Sequence, residues 1–573
     1  KAMRHPLVLV VALGLAVPLH GFAPSAMKIS KAVRWPEQQI QGRAACALSA
    51  TTLPEEGGAL KAVRTFGSRR IAALVPPKEM KKLVPLALMF FCVLFNYTIL
   101  RNTKDVLMVT APGSGAEVIP FLKTYVQLPG ATAFILIYTS LCNRLSPNKV
   151  FYAIVLPFLS FFSTFAFVLY PLRNIIHPHA AAAAWALQAP NLAAPLAIVR
   201  NWSFSLFYMF AELWGSVVAS LIFWGQANAV MNVAEAKKYY SLFGIAANVA
   251  LLAAGWVMKG ASAFAENHAA ATGADPYATT LKVLMASVVA SGGVMTACHK
   301  FVQKKVMTDP ECVDDTAVRK SKTKTKMTMG ESAKFLFSSK YIRCLATLVI
   351  AYSMAINIVE VTWKGSLRAA FPDPSAYSAF LGTFSQYTGM VTIGMMVAGS
   401  TILRKFGWGF TAKITPKVLL ASGAIFFSLT IAPGMWSPVA AALSTTPLML
   451  AVVVGAVQNI ASKSAKYSLF DPTKEMAFIP LSPEEKTKGK AVIDVLGKTV
   501  GKSGGSLVQQ ALLLSLGSLA AATPYLALFL GAIILAWLIA ADSLSNQFEA
   551  AMAPEPEECL VDGEGNLDPI SRC

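Results

Sequence analysis

The sequence predicts an all-α polytopic membrane protein whose twelve transmembrane helices form two six-helix halves. Composition, the spacing of apolar segments and one long basic connector carry that prediction. Of the 573 residues, 55% are hydrophobic and only 14% are charged, which is too apolar for a water-soluble core to bury. A helix of about 20 apolar residues crosses a bilayer, and twelve apolar segments follow one another between residues 84 and 541. Between the sixth and the seventh, Lys300 to Lys340 holds ten Lys or Arg against five acids, with RKSKTKTK at Arg319–Lys326.

The elements follow in chain order. Residues 1–21 start with Lys1 and Arg4, continue as an apolar run from Pro6 to Val17 and reach small residues by Gly21, the layout of a signal peptide. Residues 22–82 are rich in Ala, Ser, Lys and Arg, and Glu37, Glu55, Glu56 and Glu79 are their only acids, as in an organellar transit peptide followed by a basic N-terminal region. Together they look like the two-part leader of complex algal plastids, and GFAPS at Gly21–Ser25 resembles the phenylalanine motif at its junction. The first half is expected over 83–298, with spans near 84–109, 118–142, 150–172, 195–226, 239–258 and 279–298. A basic central loop, 299–340, leads to the second half, 341–545, with spans near 341–363, 377–403, 416–434, 446–462, 490–518 and 523–541. The remainder, 546–573, is expected to be an acidic disordered tail. With an even number of spans the N-terminal region, the central loop and the tail share one face, and the first two are basic as cytoplasmic-type segments are.

A formal charge of +20 is compatible with nucleic-acid binding, but the basic residues gather in these segments, so the charge reads as topology with some attraction for an anionic solute. Eight scattered cysteines without a C-x-x-C, and six histidines without an H-x-x-x-H, indicate neither a disulfide framework nor a zinc site. The halves share a faint repeat. FLKTYVQLPG at Phe121–Gly130 and FLGTFSQYTG at Phe380–Gly389 match at an offset of 259 residues, each opening the second helix of its half. That predicts parallel halves of the major-facilitator kind, with a substrate site between them near the midplane.

Charges inside the spans mark that site, because an ionised side chain at mid-membrane costs several kcal/mol unless a partner or a water-filled cavity accompanies it. The fourth span carries Glu212 near its middle. The first ends with Arg101, Lys104 and Asp105, where Asp105 can pair locally with Arg101 and leave Lys104 the freer cation. Lys123 stands in the second span, and Glu360 and Lys364 are four apart in the seventh. Asp494, Lys498 and Lys502 stand in the eleventh, beside Gly504 and Gly505. Several intramembrane cations on different helices suit a multiply charged anion such as a phosphate ester, with Trp202, Phe210 or Trp214 available to a purine. GKTVGKS at Gly497–Ser503 is one residue short of a Walker A loop, has Leu496 where the first glycine belongs and follows no buried strand, so hydrolysis is not expected.

The chain resembles the ATP/ADP translocases of plastids and obligate intracellular bacteria, the nucleotide transporter family. The resemblance rests on KDVLMVTAPGSGAEVIPFLKTYVQLP at Lys104–Pro129, RNWSFSLFYMFAELWGSVVASLIFWGQAN at Arg200–Asn228, EAKKYYSLFGIAANVALLAAG at Glu235–Gly255, YSLFDPTKEMAFIPL at Tyr467–Leu481 and GKSGGSLVQQ at Gly501–Gln510. It implies exchange of ATP for ADP by alternating access across the inner envelope of a plastid, without a cofactor, nucleic acid or an obligate protein partner. It places the charges required for transport on Lys123, Glu212, Glu360 and Lys502, with Lys104 and Arg101 as further candidates from the residues alone. Ala180–Pro195 and Ala261–Tyr277, which depart from the family pattern, are expected to be loops. A relative importing other nucleotides, with or without proton coupling, is the alternative.

Overall fold

The structure, a computed structural model, describes residues 77–231, 233–309, 312, 339–481, 493 and 497–552. The two-part leader up to residue 76, most of the central loop, Asp494 and the tail from residue 553 lie outside the described residues.

Among the described residues, ten helices are long and apolar enough to cross a membrane. One of them, Pro374–Ile431, is 58 residues long and breaks at Gly407, whose φ of 77° and ψ of 177° are not helical. It therefore supplies two spans. Lys498–Leu516 adds another, more polar one. The spans are α1 (Pro77–Val109), α2 (Val118–Arg144), α3 (Pro147–Leu169), α4 (Trp202–Val230), α5 (Val233–Thr272), α6 (Pro276–Val306) and α7 (Lys340–Ala370). They continue as α8 (374–406), α9 (408–431), α10 (Pro447–Met476), α11 (Lys498–Leu516) and α12 (Leu519–Met552).

Several expected boundaries move outward. α1 begins at Pro77 rather than near residue 83, and α6 runs to Val306. The two expected loops are largely helical, since His179–Gln188 is a short helix and α5 continues without a break to Thr272. An alanine-rich segment has high helix propensity whether or not it is buried, so apolar runs alone underestimate helix length here.

The halves are built alike. In the first, α1 packs on α4, α5 and α6; in the second, α7 packs on α10, α11 and α12. An indole pins each of the corresponding joints, though from opposite helices: Trp214 of α4 donates to the Val93 carbonyl of α1 (3.1 Å), and Trp363 of α7 donates to the Val452 carbonyl of α10 (2.9 Å). Both rings are fully buried. Large apolar side chains such as Leu136, Val397, Leu528 and Ile539 point outward with more than two thirds of their surface exposed, a band that a lipid bilayer must cover.

The halves meet along two seams. α5 crosses α8 so closely that a Cβ on Gly255 would stand 2.5 Å from the Gly382 carbonyl oxygen, an approach only glycine permits. On the other side α2 meets α11, where the Gln510 amide donates to the Pro120 carbonyl (3.0 Å) and the Thr124 hydroxyl (2.7 Å). Between the seams α1 and α7 face each other across the centre.

Candidate functional site

Where α1 faces α7, residues at equivalent positions of the two halves touch. Arg101 donates to Glu360 at 3.1 Å, and the Arg368 Nε donates to the Val109 carbonyl at 3.1 Å, both pairs being 259 residues apart. Lys364 and Asp105, at the same separation, form an ion pair of 2.8 Å. The repeat offset read from the second helices therefore also governs the centre, because only residues on the pseudo-twofold axis meet their own counterparts. The charges are inverted across that axis: Arg101 and Asp105 on α1 oppose Glu360 and Lys364 on α7.

These contacts join into an alternating chain. Glu360 Oε1 accepts from Arg101 and also lies 3.3 Å from Lys364 Nζ. Lys364 bridges to Asp105 Oδ2, Asp105 Oδ1 binds Lys104 at 2.8 Å, and Lys104 reaches Glu212 Oε1 of α4 at 3.1 Å. The order is cation, anion, cation, anion, cation, anion, and the chain closes electrically on itself. Lys104, Asp105 and Lys364 are at most 6% exposed at the side chain, so these pairs act in a medium of low dielectric. Lys104 also sits 3.8 Å over the Tyr208 ring, and Gln127 of α2 donates to the second Glu212 oxygen at 3.4 Å.

Two sequence expectations change here. Asp105 pairs with Lys104 and Lys364 and not with Arg101, because Glu360 stands directly opposite Arg101 on the axis. Lys104 is consequently the most enclosed cation of the chain, not the freest.

Lys123 and Lys502 lie apart from the chain. Lys123, on a π-helical turn of α2 (Leu122–Gln127), donates to the Asn357 side-chain oxygen of α7; such turns recur at functional sites. The Asn357 amide donates in turn to the Lys502 carbonyl (3.1 Å) and the Ser506 hydroxyl (2.9 Å) of α11. Helix α11 comes this near because Gly501 and Gly505 face α7, where a Cβ on Gly501 would meet the Ile350 carbonyl at 2.8 Å. The Lys502 side chain is exposed and has no ion-pair partner among the described residues. Gly501 and Lys502 stand inside a helix, not in a phosphate loop after a strand.

A cavity of about 440 Å³ opens beside the chain, between α1, α4, α5, α7, α8 and α10. Arg101, Asp105, Glu360 and Lys364 line its polar side, and Tyr97, Trp224, Phe243, Phe384 and Tyr467 its aromatic side. Trp202, Phe210 and Trp214 are not in it. Trp214 fills the α1–α4 joint, Phe210 stacks on Phe161 at 4.1 Å, and Trp202 donates to the Ile176 carbonyl. Asn102, which donates to Ser385 of α8 at 2.8 Å, is a wall residue that the sequence reading missed. Lys463 of α10 is another. The tenth apolar run stops at residue 462, so hydropathy places Lys463 at a span end, whereas the helix continues to Met476.

Two six-helix halves around a central charged cavity define a polytopic transporter of major-facilitator-like fold. The crystal structure of a bacterial homologue of the iron transporter ferroportin, in an inward-facing state, superposes with a TM-score of 0.50 at 14% identity, covering 82% of this chain and 98% of that one. Residues 66–548 match the TLC ATP/ADP transporter family, and the chain belongs to that family. It is 54% identical to ADP,ATP carrier protein 2, chloroplastic, of Arabidopsis thaliana over 84% of this chain and 76% of that protein. It is 50% identical to ADP,ATP carrier protein 1 of Chlamydia muridarum over 84% of this chain and 91% of that protein.

Proposed function

We propose that the alternating chain locks the empty carrier, and that Lys123 and Lys502 bind the nucleotide phosphates while Glu212 and Glu360 hold the neighbouring cations in place. As a member of its family the protein is an antiporter exchanging ATP for ADP, a secondary transporter without nucleotide hydrolysis, and a plastid membrane protein. The observation behind the proposed roles is the charge balance. The six-membered chain is neutral without substrate, whereas Lys123 and Lys502 have no carboxylate in ion-pair contact among the described residues.

The mechanism follows from the cost of charge in a membrane. With no nucleotide bound, Arg101–Glu360 and Lys364–Asp105 hold the halves together across the axis, and parting them would strand charges in a low-dielectric medium. When the halves part, Glu360 keeps Lys364 on its own helix and Asp105 keeps Lys104, and a bound polyphosphate supplies anionic oxygens to Arg101, which loses its carboxylate partner, so the halves rock past each other at lower cost. ATP and ADP both satisfy that requirement and an empty site does not, which makes transport an exchange. The aromatic wall gives a purine a stacking surface, and the cavity has the size of a small-molecule site. The leader-like composition of the residues before α1 supports placement in the inner envelope of a complex plastid, with ATP imported and ADP exported.

The test is uptake of labelled ATP into proteoliposomes with and without internal ADP. Uptake should depend on internal ADP, and equal uptake in both would end the exchange reading. Lys123→Gln and Lys502→Gln should each lower the apparent affinity for both nucleotides in protein that remains folded.

A further inference from the structure

We infer that Lys463 is a phosphate-binding residue of the transport site, acting with Arg101 in the conformation described here. The inference rests on the exchange reading and adds to it a cation from α10.

Lys463 lies near the middle of the 30-residue α10 and on the wall of the central cavity. Its side chain is half-buried and faces the cavity rather than a helix end, where a lysine would reach the interface. The two acids that line the cavity are already engaged: Glu360 by Arg101 and Lys364, Asp105 by Lys364 and Lys104. Among the described residues no carboxylate lies within ion-pair distance of Lys463. Its nitrogen stands over the face of Phe384, 4.8 Å from the ring centroid. A cation over an aromatic face recovers less than the burial of a charge in a membrane costs. An ammonium kept there without a resident counterion calls for a mobile one, and the polyphosphate of the substrate is the anion this protein handles.

The partner cation is close by. Arg101 lines the same cavity from the first half, and its charge bears directly on Lys463. Its side chain is 34% exposed, more than any other member of the alternating chain. A phosphate between Arg101 on α1 and Lys463 on α10 would link the two halves by charge-assisted hydrogen bonds. It would also stand beside Tyr97 and Tyr467, whose rings line the same space. Lys123 and Lys502 do not line this cavity. Lys463 therefore meets the phosphates in the state described here, and the α2 and α11 lysines meet them once the central seam has opened.

The experiment uses the purified full-length protein in detergent, with thermal unfolding followed with and without ATP, and exchange measured in proteoliposomes. Lys463→Met removes a half-buried cation that has no carboxylate within ion-pair distance among the described residues, so the empty protein should unfold at the same or a higher temperature. The stabilisation by ATP should disappear, and the ATP concentration for half-saturation should rise about 10- to 100-fold, the loss of one charged hydrogen bond. Lys463→Arg should keep most of the ATP response. A structural role predicts the reverse, a lower unfolding temperature with unchanged ATP affinity, and that result would overturn the inference. If Lys463→Met does not fold, amine modification of Lys463 in the unaltered protein decides by mass spectrometry: ATP should protect it, and equal labelling with and without ATP would refute the assignment. Lys123→Gln serves as the control. A loss of ATP affinity there with none in Lys463→Met defeats only the inference about Lys463, whereas no loss in either variant defeats the site reading itself.

Discussion

Asp105 sits at the middle of the alternating chain, and Asp105→Asn tests whether that chain is the lock on the empty carrier. Its two carboxylate oxygens each hold a lysine at 2.8 Å, Lys104 on its own helix and Lys364 across the axis, and its side chain is 4% exposed. Neutralising it leaves three cations against two acids in a buried chain. Breaking a buried pair by removing one partner costs about 3–5 kcal/mol. The resting conformation alone bears that loss, because a bound polyphosphate would replace Asp105 as the counter-charge. The barrier for the empty carrier to change its facing should then fall by part of that amount, and about 3 kcal/mol corresponds to roughly a hundredfold in rate. The assay is labelled ATP uptake into proteoliposomes without internal nucleotide, where the variant should leak measurably, together with a lower thermal midpoint. Adding Lys364→Met should restore much of the stability, since the chain then falls into two neutral pairs, Arg101–Glu360 and Lys104–Glu212. A double-mutant coupling below about 0.5 kcal/mol, with a strict requirement for internal ADP retained in Asp105→Asn, would refute the lock.

Other consequences are simpler to check. His177 lies in the connection between α3 and α4, 5% exposed, with its Nε2 2.7 Å from the Ser203 hydroxyl. Burial, assisted by His179 and Arg173, pushes its pKa down to about 4 from 6.5. The unfolded chain takes up this proton first as the pH drops, so the contribution of His177 to stability is complete above about pH 6.5 and is lost on the way down to about 4. His177→Gln should flatten the fall in thermal midpoint across that window. Gly255→Val should cost about 1–3 kcal/mol by overpacking at the α5–α8 crossing, read as a lower thermal midpoint. Trp214→Phe should lower the midpoint by the equivalent of about 1 kcal/mol through loss of its hydrogen bond to Val93, and leave the half-saturation for ATP unchanged because the indole is outside the cavity.

The sequence by itself determined the membrane class, the two six-helix halves and the positions of the intramembrane charges. Those follow from local chemistry: lipid selects apolar helices segment by segment, and a charge inside such a segment is conspicuous wherever it ends up. The repeat at Phe121 and Phe380 was legible for the same reason, and it already contained the offset that pairs Arg101 with Glu360. Only the tertiary structure decided the partners. Whether Asp105 turns to Arg101 one helical turn away or to Lys364 on another helix depends on the rotation of α1 and α7 about their axes, set by packing over the whole of each half. Apolar runs have a limit. The tenth run stops at residue 462, beside Lys463, which drew no reading from the sequence, and Trp214 was one of three aromatics among which the sequence chose none for a purine. Helix length and side-chain direction placed the lysine in the cavity and the indole against Val93, and both are properties of packed helices that no single segment encodes.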